Sequence, residues 1–391
     1  MEKELFADDR PIARVSEDAL GFSKPAESIA TSIIDFASPE GFVMGLEGDW
    51  GTGKSSFLNL IAGHLKESST APEIIQFSPW LISSRNGLLA QFFSEIGRAA
   101  QVIAEEAEGT KKDDLQNLSN KGVKSVKSLI DNYSGGLIVL GNIGRLAGLA
   151  GIPWASDIGQ KVLDFGETAQ SLSTDKPLEE QKEEIKEALR SLHRQIVVFI
   201  DDLDRLEPKE VGEVVRLVRA VGDFPNIIYV LSYSRPILTR NLAKAFNLKA
   251  SDPYIDKIVQ VTFQVPKPEG FTLRNLFRKR LQSIFPDAFK QDDVSRNNPG
   301  LSRLNEAIDK QGGKTLKTPR DVARVLNAMR LYGSSAAEKT DLGDMVWLQM
   351  IRVRNPELYD WIESYMGTVG AIINAKGQVK SEIVSIVKRA A

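Results

Sequence analysis

The sequence contains no cysteine and only two histidines, His64 and His193. Without cysteine, disulfides, zinc–thiolate sites and thiol catalysis are excluded. A histidine-based metal centre would need both histidines and several carboxylates, so we do not expect one. The chain also lacks an excess of either charge, because 50 Lys and Arg face 52 Asp and Glu, for a net charge of -2. This balance removes the simplest argument for nucleic acid as the main partner, a strongly basic domain, but does not exclude a local basic patch.

The first residues, MEKELFADDRPIARV, lack the apolar core of a secretory signal peptide. We therefore expect a reducing compartment, most simply the cytoplasm. The hydrophobic and charged fractions, 42% and 26%, are typical of a soluble globular protein. A chain of 391 residues has room for one large domain or two medium-sized ones.

Over the first 265 residues, after an irregular lead-in at 1–24, short apolar runs alternate with amphipathic segments. The apolar runs predict buried strands, and the last of them, β-branched and alternating, predicts an edge strand. Such alternation indicates a parallel sheet with helices on both faces. The predicted strands lie at 41–48, 73–80, 226–234 and 257–265, and in the segment 195–204, which runs from a strand into a loop. The predicted helices lie at 28–37, 54–65, 87–108, 177–192 and 208–221.

The character of the chain changes after Pro266 and Pro268. No further run predicts a strand, and amphipathic stretches at 271–285, 318–333 and 344–353 predict helices. We therefore expect two domains, an α/β domain at 1–265 and a C-terminal helical domain at 266–391.

The segment GDWGTGKS at 48–55 matches the pattern G-x-x-x-x-G-K-[ST] without a mismatch. Glycines let the backbone turn tightly and bring its N–H groups against phosphate oxygens, and the helix that follows points its positive end at the same anion. A chance match in a turn is the alternative, but the strand before and the helix after are the context that the motif requires. The predicted nucleotide-binding residues are Gly48, Asp49, Trp50, Gly51, Thr52, Gly53, Lys54, Ser55 and Ser56.

Within this loop, the chemistry assigns two side chains. Lys54 can reach the β- and γ-phosphates, and the hydroxyl of Ser55 can take one coordination place on Mg²⁺. The predicted fold is therefore that of a P-loop NTPase, a three-layer α/β sandwich with a parallel sheet.

The apolar run at 196–200 ends in two carboxylates, Asp201 and Asp202. A buried parallel strand delivers its last residues to the sheet edge where the phosphate loop lies. We expect Asp201 to hold Mg²⁺, directly or through water, and Asp202 to orient or deprotonate the attacking water. The alternative is that the acidic residues before Pro208 merely cap the next helix.

Several stretches together resemble the KAP family of P-loop NTPases, in the STAND and AAA+-related part of the superfamily. They are GDWGTGKS at 48–55, FSPW at 77–80, DDLDR at 201–205, YIDKIVQVTF at 254–263 and TPRD at 318–321. The resemblance covers roughly residues 8–360. It implies a nucleotide-dependent switch or assembly ATPase, often membrane-associated, and some bacterial and plasmid members act in phage exclusion. ATP is preferred mainly through this resemblance, and no guanine-reading motif stands out.

Three further residues are candidates at the terminal phosphate. Arg205 can serve a neighbouring subunit in trans, or pair with Asp204 or Asp201 to hold its loop. Arg320, in TPRD, resembles the arginine that AAA+-like proteins send from their helical domain to the nucleotide; the alternative is a solvated residue in the first turn of a helix. Ser232 can contact the γ-phosphate or its water from a strand end. The family pattern predicts an acidic residue after this strand, where the chain has Tyr233-Ser234-Arg235.

An insertion at about 109–175 separates the second and third strands, and its segment 135–154 is apolar and glycine-rich. About 20 apolar residues span a bilayer, but the single charge, Arg145, costs roughly 2.5–3.5 kcal/mol at the centre of a span. We expect a helical hairpin that packs on the core or contacts a membrane or partner; a spanning segment and a mobile insertion without a role are the alternatives.

The leading interpretation is an Mg²⁺-dependent ATPase whose hydrolysis switches conformation or assembly. Its expected partners are a second copy of the chain or a protein effector. One alternative is a nucleic-acid-stimulated motor or loader, supported by the basic FRKR at 277–280. Another is a scaffold that holds nucleotide with little turnover.

Overall fold

A computed structural model describes residues 10–36, 40–81, 85–109, 130, 178–249, 254–289, 299–336 and 340–367. The segment 135–154, and nearly all of the insertion predicted at 109–175, lie outside these residues. Among the described residues, no helix combines the length and the apolar character needed to cross a bilayer.

The centre of the α/β domain is a five-stranded, fully parallel sheet in the order β2-β3-β4-β1-β5. Each predicted strand is confirmed, and the last forms an edge, as expected. Because β4 lies between β1 and β3, one strand separates the strand before the phosphate loop from the strand before Asp201. The strands are β1 Phe42–Glu47, β2 Glu73–Phe77, β3 Ile196–Ile200, β4 Ile227–Tyr233 and β5 Val261–Gln264.

Helices cover both faces of the sheet, which confirms the three-layer α/β architecture. On one face, Phe57 and Ile61 pack with Ile228 and Val230 of β4. On the other, Phe92 packs with the alternate β4 residues, such as Tyr229. The first face carries α1 Ser23–Asp35 and α2 Lys54–Glu67; the second carries α3 Arg85–Gly109, α4 Leu178–Arg190, α5 Pro208–Val221 and α6 Arg235–Phe246.

After β5 the described residues are helical, and they have an apolar core of their own that includes Leu273, Phe277, Leu326 and Met350. Leu20, from the N-terminal segment, packs against both this core and that of the α/β domain. The exact division at residue 265 stays a prediction. The helices are α7 Gly270–Ile284, α8 Pro299–Glu306, a π-helical turn Ala307–Gln311, α9 Gly312–Thr315, α10 Pro319–Ala336, α11 Leu342–Arg354 and α12 Pro356–Gly367.

Candidate functional site

The phosphate loop connects the buried end of β1 to the first turn of α2. Gly51 and Gly53 have φ angles of 82° and 97°, in the left-handed region that favours glycine. The hydroxyl of Thr52 donates to the carbonyl of Asp49 at 2.7 Å and closes the turn. Helix α2 begins at Lys54. The loop therefore presents the amide groups of a helix N-terminus, as the sequence motif predicts.

Lys54 is held by the loop that follows β3. Its Nζ donates to Asp204 Oδ2 at 2.7 Å and to the carbonyl of Gly48 at 3.2 Å, and the side chain is only 7% exposed. Asp204 Oδ1 also accepts the backbone N–H of Ser234 at 3.0 Å. Asp204 therefore ties the phosphate loop to the ends of both β3 and β4.

Sequence reasoning did not select Asp204 as a site residue. The cause is the backbone of Asp202, whose φ of 61° lies in the left-handed region. This residue turns the chain directly after β3, and a 3₁₀ turn, Leu203–Arg205, follows. The turn brings the third carboxylate of the DDLDR segment, rather than the first, onto the lysine. A left-handed Asp is uncommon enough that the sequence alone does not reveal it.

Asp201 and Asp202 occupy different positions. The N–H of Asp201 continues the strand ladder to the carbonyl of Phe77, and its Oδ1 accepts the N–H of Asp202 at 2.7 Å. Asp202 Oδ1 lies 2.9 Å from Nε of Arg205. The capping alternative is wrong for both carboxylates, because α5 is capped by Glu207 in a reciprocal pair with Glu210.

Burial raises the pKa of Asp202 above its ordinary value, and the charges of Asp201 and Asp204 add to this effect, while Arg205 and Lys54 oppose it. The guanidinium of Arg205 also lies over the ring of Trp80, 5.8 Å from its centroid. The partner of Arg205 is therefore Asp202. The predicted pairing with Asp204 or Asp201 is wrong.

A cavity of about 420 Å³ opens over the phosphate loop. Five parts of the chain line it: the N-terminal segment, the phosphate loop, the DDLDR loop, helix α6 and the C-terminal helices. Of the predicted residues, those that line it are Trp50, Gly51, Gly53, Lys54, Ser55, Ser56, Asp202, Arg205 and Arg320; Gly48, Asp49, Thr52, Asp201 and Ser232 do not. Ser232 is fully buried, beside Leu46, and its hydroxyl has no hydrogen-bond partner among the described residues.

The N-terminal segment forms a wall of the cavity that the sequence did not reveal. The N–H of Ile12 donates to Ser56 Oγ at 3.2 Å, and Asn59 Nδ2 donates to the carbonyl of Ile12 at 2.9 Å. Asp18 accepts the N–H groups of Leu20, Gly21 and Ser23 and so fixes the turn before α1. A segment that reads as an irregular lead-in is therefore anchored on the helix of the phosphate loop.

The helical domain supplies the opposite wall. Thr318 and Asp321 exchange hydrogen bonds at the start of α10, which places Arg320 in its first turn. The guanidinium of Arg320 lies 5.7 Å from the centroid of Trp50. A Cβ built on Gly51 would lie 3.0 Å from that of Arg320. The first turn of α10 is therefore packed directly on the phosphate loop.

Three arginines in the cavity lining were not predicted: Arg10 in the N-terminal segment, Arg240 on α6 and Arg280 on α7. Arg280 belongs to the FRKR segment, which the structure divides: Phe277 is buried in the helical core, and Arg278 Nη2 donates to Asp309 Oδ1 at 2.9 Å. FRKR therefore does not form one continuous basic patch.

At the end of β4, where the family pattern predicts an acidic residue, the chain has Tyr233, Ser234 and Arg235. Tyr233 Oη donates to the buried carboxylate of Glu47 at 3.2 Å, and Arg235 donates to the same oxygen at 2.9 Å. Arg235 also donates to Asp256 at 2.7 and 2.8 Å. These contacts stabilise the end of β1, immediately before Gly48, and none of these four side chains lines the cavity.

The lining of the cavity offers oxygen ligands of the kind that Mg²⁺ takes. Mg²⁺ takes oxygen ligands, usually one or two from protein together with phosphates and water. Ser55, Asp202 and Asp204 line the same space. Among the described residues there is no group of three or more histidines and carboxylates that would form a complete protein-only metal site. A cation here would depend on the oxygens of a bound phosphate.

Replacing Asp204 with asparagine is expected to raise ATP affinity about tenfold. Asparagine keeps an acceptor for Ser234 N–H, but removes the charge that competes with phosphate for Lys54, and a charge-assisted hydrogen bond contributes about 1.5–3 kcal/mol. Calorimetric titration of both proteins checks this, with Asp35→Asn, at the exposed end of α1, as the matched control. Weaker ATP binding by Asp204→Asn would show that Asp204 supports the bound state instead.

Residues 22–336 match the sequence model of a protein family that is described as the KAP family P-loop domain. The chain is also 35% identical over 379 residues to the phage T7 exclusion protein of Escherichia coli (strain K12), covering 95% of this chain and 49% of that protein. The chain thus spans about half the length of this relative.

Solved structures with an overall likeness include that of the Aeropyrum pernix ORC2 protein, with a TM-score of 0.42 and 10% sequence identity. The match covers 99% of this chain and 89% of that protein's chain. The Thermotoga maritima RuvB Holliday junction branch migration motor has a TM-score of 0.38 and 13% identity, with 92% and 82% covered. At these scores and identities, nothing about function follows from the likeness.

Proposed function

The chain belongs to the KAP family of P-loop NTPases, and on this basis we propose that it binds ATP with Mg²⁺ and hydrolyses it to switch conformation or assembly. The observation that carries the proposal is the contact between Lys54 and the loop after β3. It brings the phosphate-binding lysine and three carboxylates together at one end of the sheet, beside a cavity large enough for a ligand.

In the proposed complex, the backbone amides at 48–55 and Lys54 bind the phosphates. Lys54 leaves Asp204 to do so. Ser55 would hold Mg²⁺ directly, and Asp201, which does not line the cavity, would hold it through water; the cation would neutralise phosphate charge. Asp202 accepts a proton from the attacking water as its oxygen bonds to the γ-phosphorus, and ADP leaves. The raised pKa of Asp202 favours proton acceptance, and its pairing with Arg205 holds the carboxylate in place.

The helical domain is proposed to report the nucleotide state. Arg320 contacts the phosphate loop through Trp50 and Gly51, so a nucleotide that moves this loop also acts on α10. Arg320 can exchange the Trp50 ring for the terminal phosphate. Ser232 lies on β4, next to β3, and its buried hydroxyl has no hydrogen-bond partner among the described residues. It is proposed to sense the same phosphate through the end of β4.

The switch is proposed to act on a second copy of the chain or on a protein effector. The mass in solution, measured with and without a non-hydrolysable ATP analogue, tests this part. An increase in mass with the analogue supports assembly. An unchanged mass indicates that the switch changes the conformation of the chain or acts on a protein effector.

The similarity to a phage T7 exclusion protein supports a role in defence against phage, in the cytoplasm or at the membrane surface. Expression of the chain in a phage-sensitive host, compared with its Lys54→Ala variant, tests this role. We expect plaque formation to fall only with the unaltered chain. Equal plaque counts for both would contradict a nucleotide-dependent defence function of this chain.

Hydrolysis itself is tested by phosphate release from ATP, with and without a chelator of Mg²⁺. Steady release that the chelator stops supports an ATPase. Tight binding without release would instead favour the scaffold. The nucleic-acid motor loses its main sequence support, because FRKR does not form a continuous basic patch; stimulation of turnover by DNA or RNA with a steep salt dependence would restore it.

Removing Arg205 is expected to move the acidic limb of the pH–rate profile to higher pH. The Arg205 cation lowers the pKa of Asp202, so Arg205→Ala raises it further, and a base must be ionised to act. When the solution is acidified, the turnover of the variant therefore begins to fall at a higher pH than that of the unaltered chain. The control is Arg216→Ala, which breaks a similar pair with Glu213, also 2.9 Å and three residues apart. Lower turnover with an unmoved limb would indicate instead that Arg205 acts on a neighbouring subunit.

A further inference from the structure

The cations of the cavity differ in whether they already have partners. Lys54 pairs with Asp204, Arg205 pairs with Asp202, and Arg320 lies over Trp50. Arg240 and Arg280 also line the cavity, but within the described part of the chain neither guanidinium group makes a hydrogen bond, ion pair or ring contact. These two guanidinium groups are therefore ready to bind an anion without first breaking a contact.

Arg240 lies on a helix that is attached to the loop that holds Lys54. It belongs to α6, which begins directly after β4, and the N–H of Ser234 just before this helix donates to Asp204 at 3.0 Å. The next residue, Asn241, donates from Nδ2 to the carbonyl of Leu206 at 3.3 Å. Hydrogen bonds on both sides of Arg240 thus attach its helix to the loop that holds Lys54.

Arg280 lies in different surroundings. It shares one face of α7 with Leu276, which packs against the apolar core of the helical domain. Within the described residues, no hydrogen bond or ion pair attaches α7 to the DDLDR loop, in contrast to α6.

The charges around Arg240 favour an anionic ligand. The two carboxylates of the DDLDR loop that line the cavity, Asp202 and Asp204, are balanced by Arg205 and Lys54, and this balance holds when Lys54 turns from Asp204 to a phosphate within the same cavity. Arg240 therefore adds a positive charge that nothing in this loop compensates. The planar guanidinium can also donate two parallel hydrogen bonds to a phosphate, which a lysine cannot do.

We propose that Arg240 binds the terminal phosphate of the nucleotide in cis, from the same chain that holds the phosphate loop. This inference rests on the proposed ATP binding. It assigns to Arg240 the role of distinguishing a triphosphate from a diphosphate, and it removes the need for an arginine from a second copy at this position. Developing charge on the terminal phosphate during transfer is stabilised by such a cation.

Nucleotide titrations of Arg240→Ala and Arg240→Lys test the inference. We expect Arg240→Ala to bind ATP about tenfold or more weakly, since a hydrogen bond to a charged group contributes about 1.5–3 kcal/mol. ADP affinity should stay within about threefold, the range of surface substitutions. Turnover at saturating ATP should fall about 10²–10³-fold, and Arg240→Lys should lie between the two proteins. The control is Lys244→Ala, which removes one exposed positive charge from the last turn of the same helix.

A mixing experiment separates cis from trans action. Arg240→Ala and Lys54→Ala chains, each of low activity, are combined in equal amounts. If Arg240 acts in cis, the mixture has no more activity than the sum of its parts, whereas recovery of turnover overturns the inference.

Two other results also overturn the inference about Arg240 and leave the proposed function standing. One is an equal loss of affinity for ATP and ADP in Arg240→Ala, and the other is an Arg240→Ala protein with the same affinities and turnover as Lys244→Ala. Failure of the unaltered chain to bind any nucleotide overturns both.

Discussion

Replacing Lys54 with alanine is expected to abolish measurable ATP binding and to lower turnover by at least about 10²–10³-fold. The lysine is the only charged side chain of the phosphate loop that can reach the β- and γ-phosphates, and removing one preorganised donor typically costs this much in rate. The substitution also leaves Asp204 without its cation, although this carboxylate keeps the N–H of Ser234. Titration calorimetry and phosphate release measure the two effects.

The matched control is Lys66→Ala, in the last turn of the same helix, where the side chain is exposed. It changes the net charge equally and should leave both measurements unchanged. Thermal unfolding of the two variants checks that each folds. Near-normal ATP affinity in a folded Lys54→Ala protein would contradict the assignment of the phosphate loop.

Replacing Asp202 with asparagine is expected to separate binding from hydrolysis. The amide cannot accept the proton of the attacking water, and general base catalysis contributes about 10²–10⁴-fold. The affinity of this variant for ATP should remain within about threefold of that of the unaltered chain, because Asp202 is proposed to act on the attacking water and not to bind the nucleotide. The variant should therefore accumulate as a complex with intact ATP, which chromatography of the bound nucleotide detects.

The neighbouring substitution, Asp201→Asn, is the informative comparison. It also removes one carboxylate charge from the same loop, but it should weaken the Mg²⁺-dependent part of ATP binding, which Asp202→Asn leaves intact. If both variants lose affinity equally and retain turnover at saturation, the separate roles assigned to Asp201 and Asp202 are wrong.

The phosphate loop could be predicted from sequence because its function is local. Eight consecutive residues contain the flexible glycines, the lysine and the hydroxyl, and the flanking apolar run and amphipathic helix show where the loop must lie. The sheet could be predicted for a similar reason, since each buried parallel strand is an unbroken apolar run such as the one at 196–200. These elements depend on residues that are neighbours in the chain.

The contacts within the site could not be predicted in the same way. Asp204 reaches Lys54 only because Asp202 adopts a left-handed backbone, and nothing in DDLDR distinguishes that conformation from a helical or extended one. The N-terminal segment joins the cavity through a hydrogen bond between Ile12 and Ser56, 44 residues apart. Such long-range contacts have no local pattern.

Arg240 shows the same limit for a side chain. In the sequence it is one of many basic residues on amphipathic helices, most of which are simply solvated. Both residues lie on α6, and only the position of Arg240 in the lining of the cavity distinguishes it from Lys244. Arg320 was selected from the sequence only through the resemblance of its TPRD segment to AAA+-like proteins, and its role stays a prediction.

Titration of the unaltered chain with ATP in the calorimeter, with and without Mg²⁺, tests most directly whether this cavity is a nucleotide site. The arrangement of Lys54, Ser55 and the carboxylates at 201–204 predicts saturable binding of ATP that weakens when Mg²⁺ is chelated. An ATP titration without heat, at concentrations well above those found in cells and confirmed by a second binding method, would contradict it.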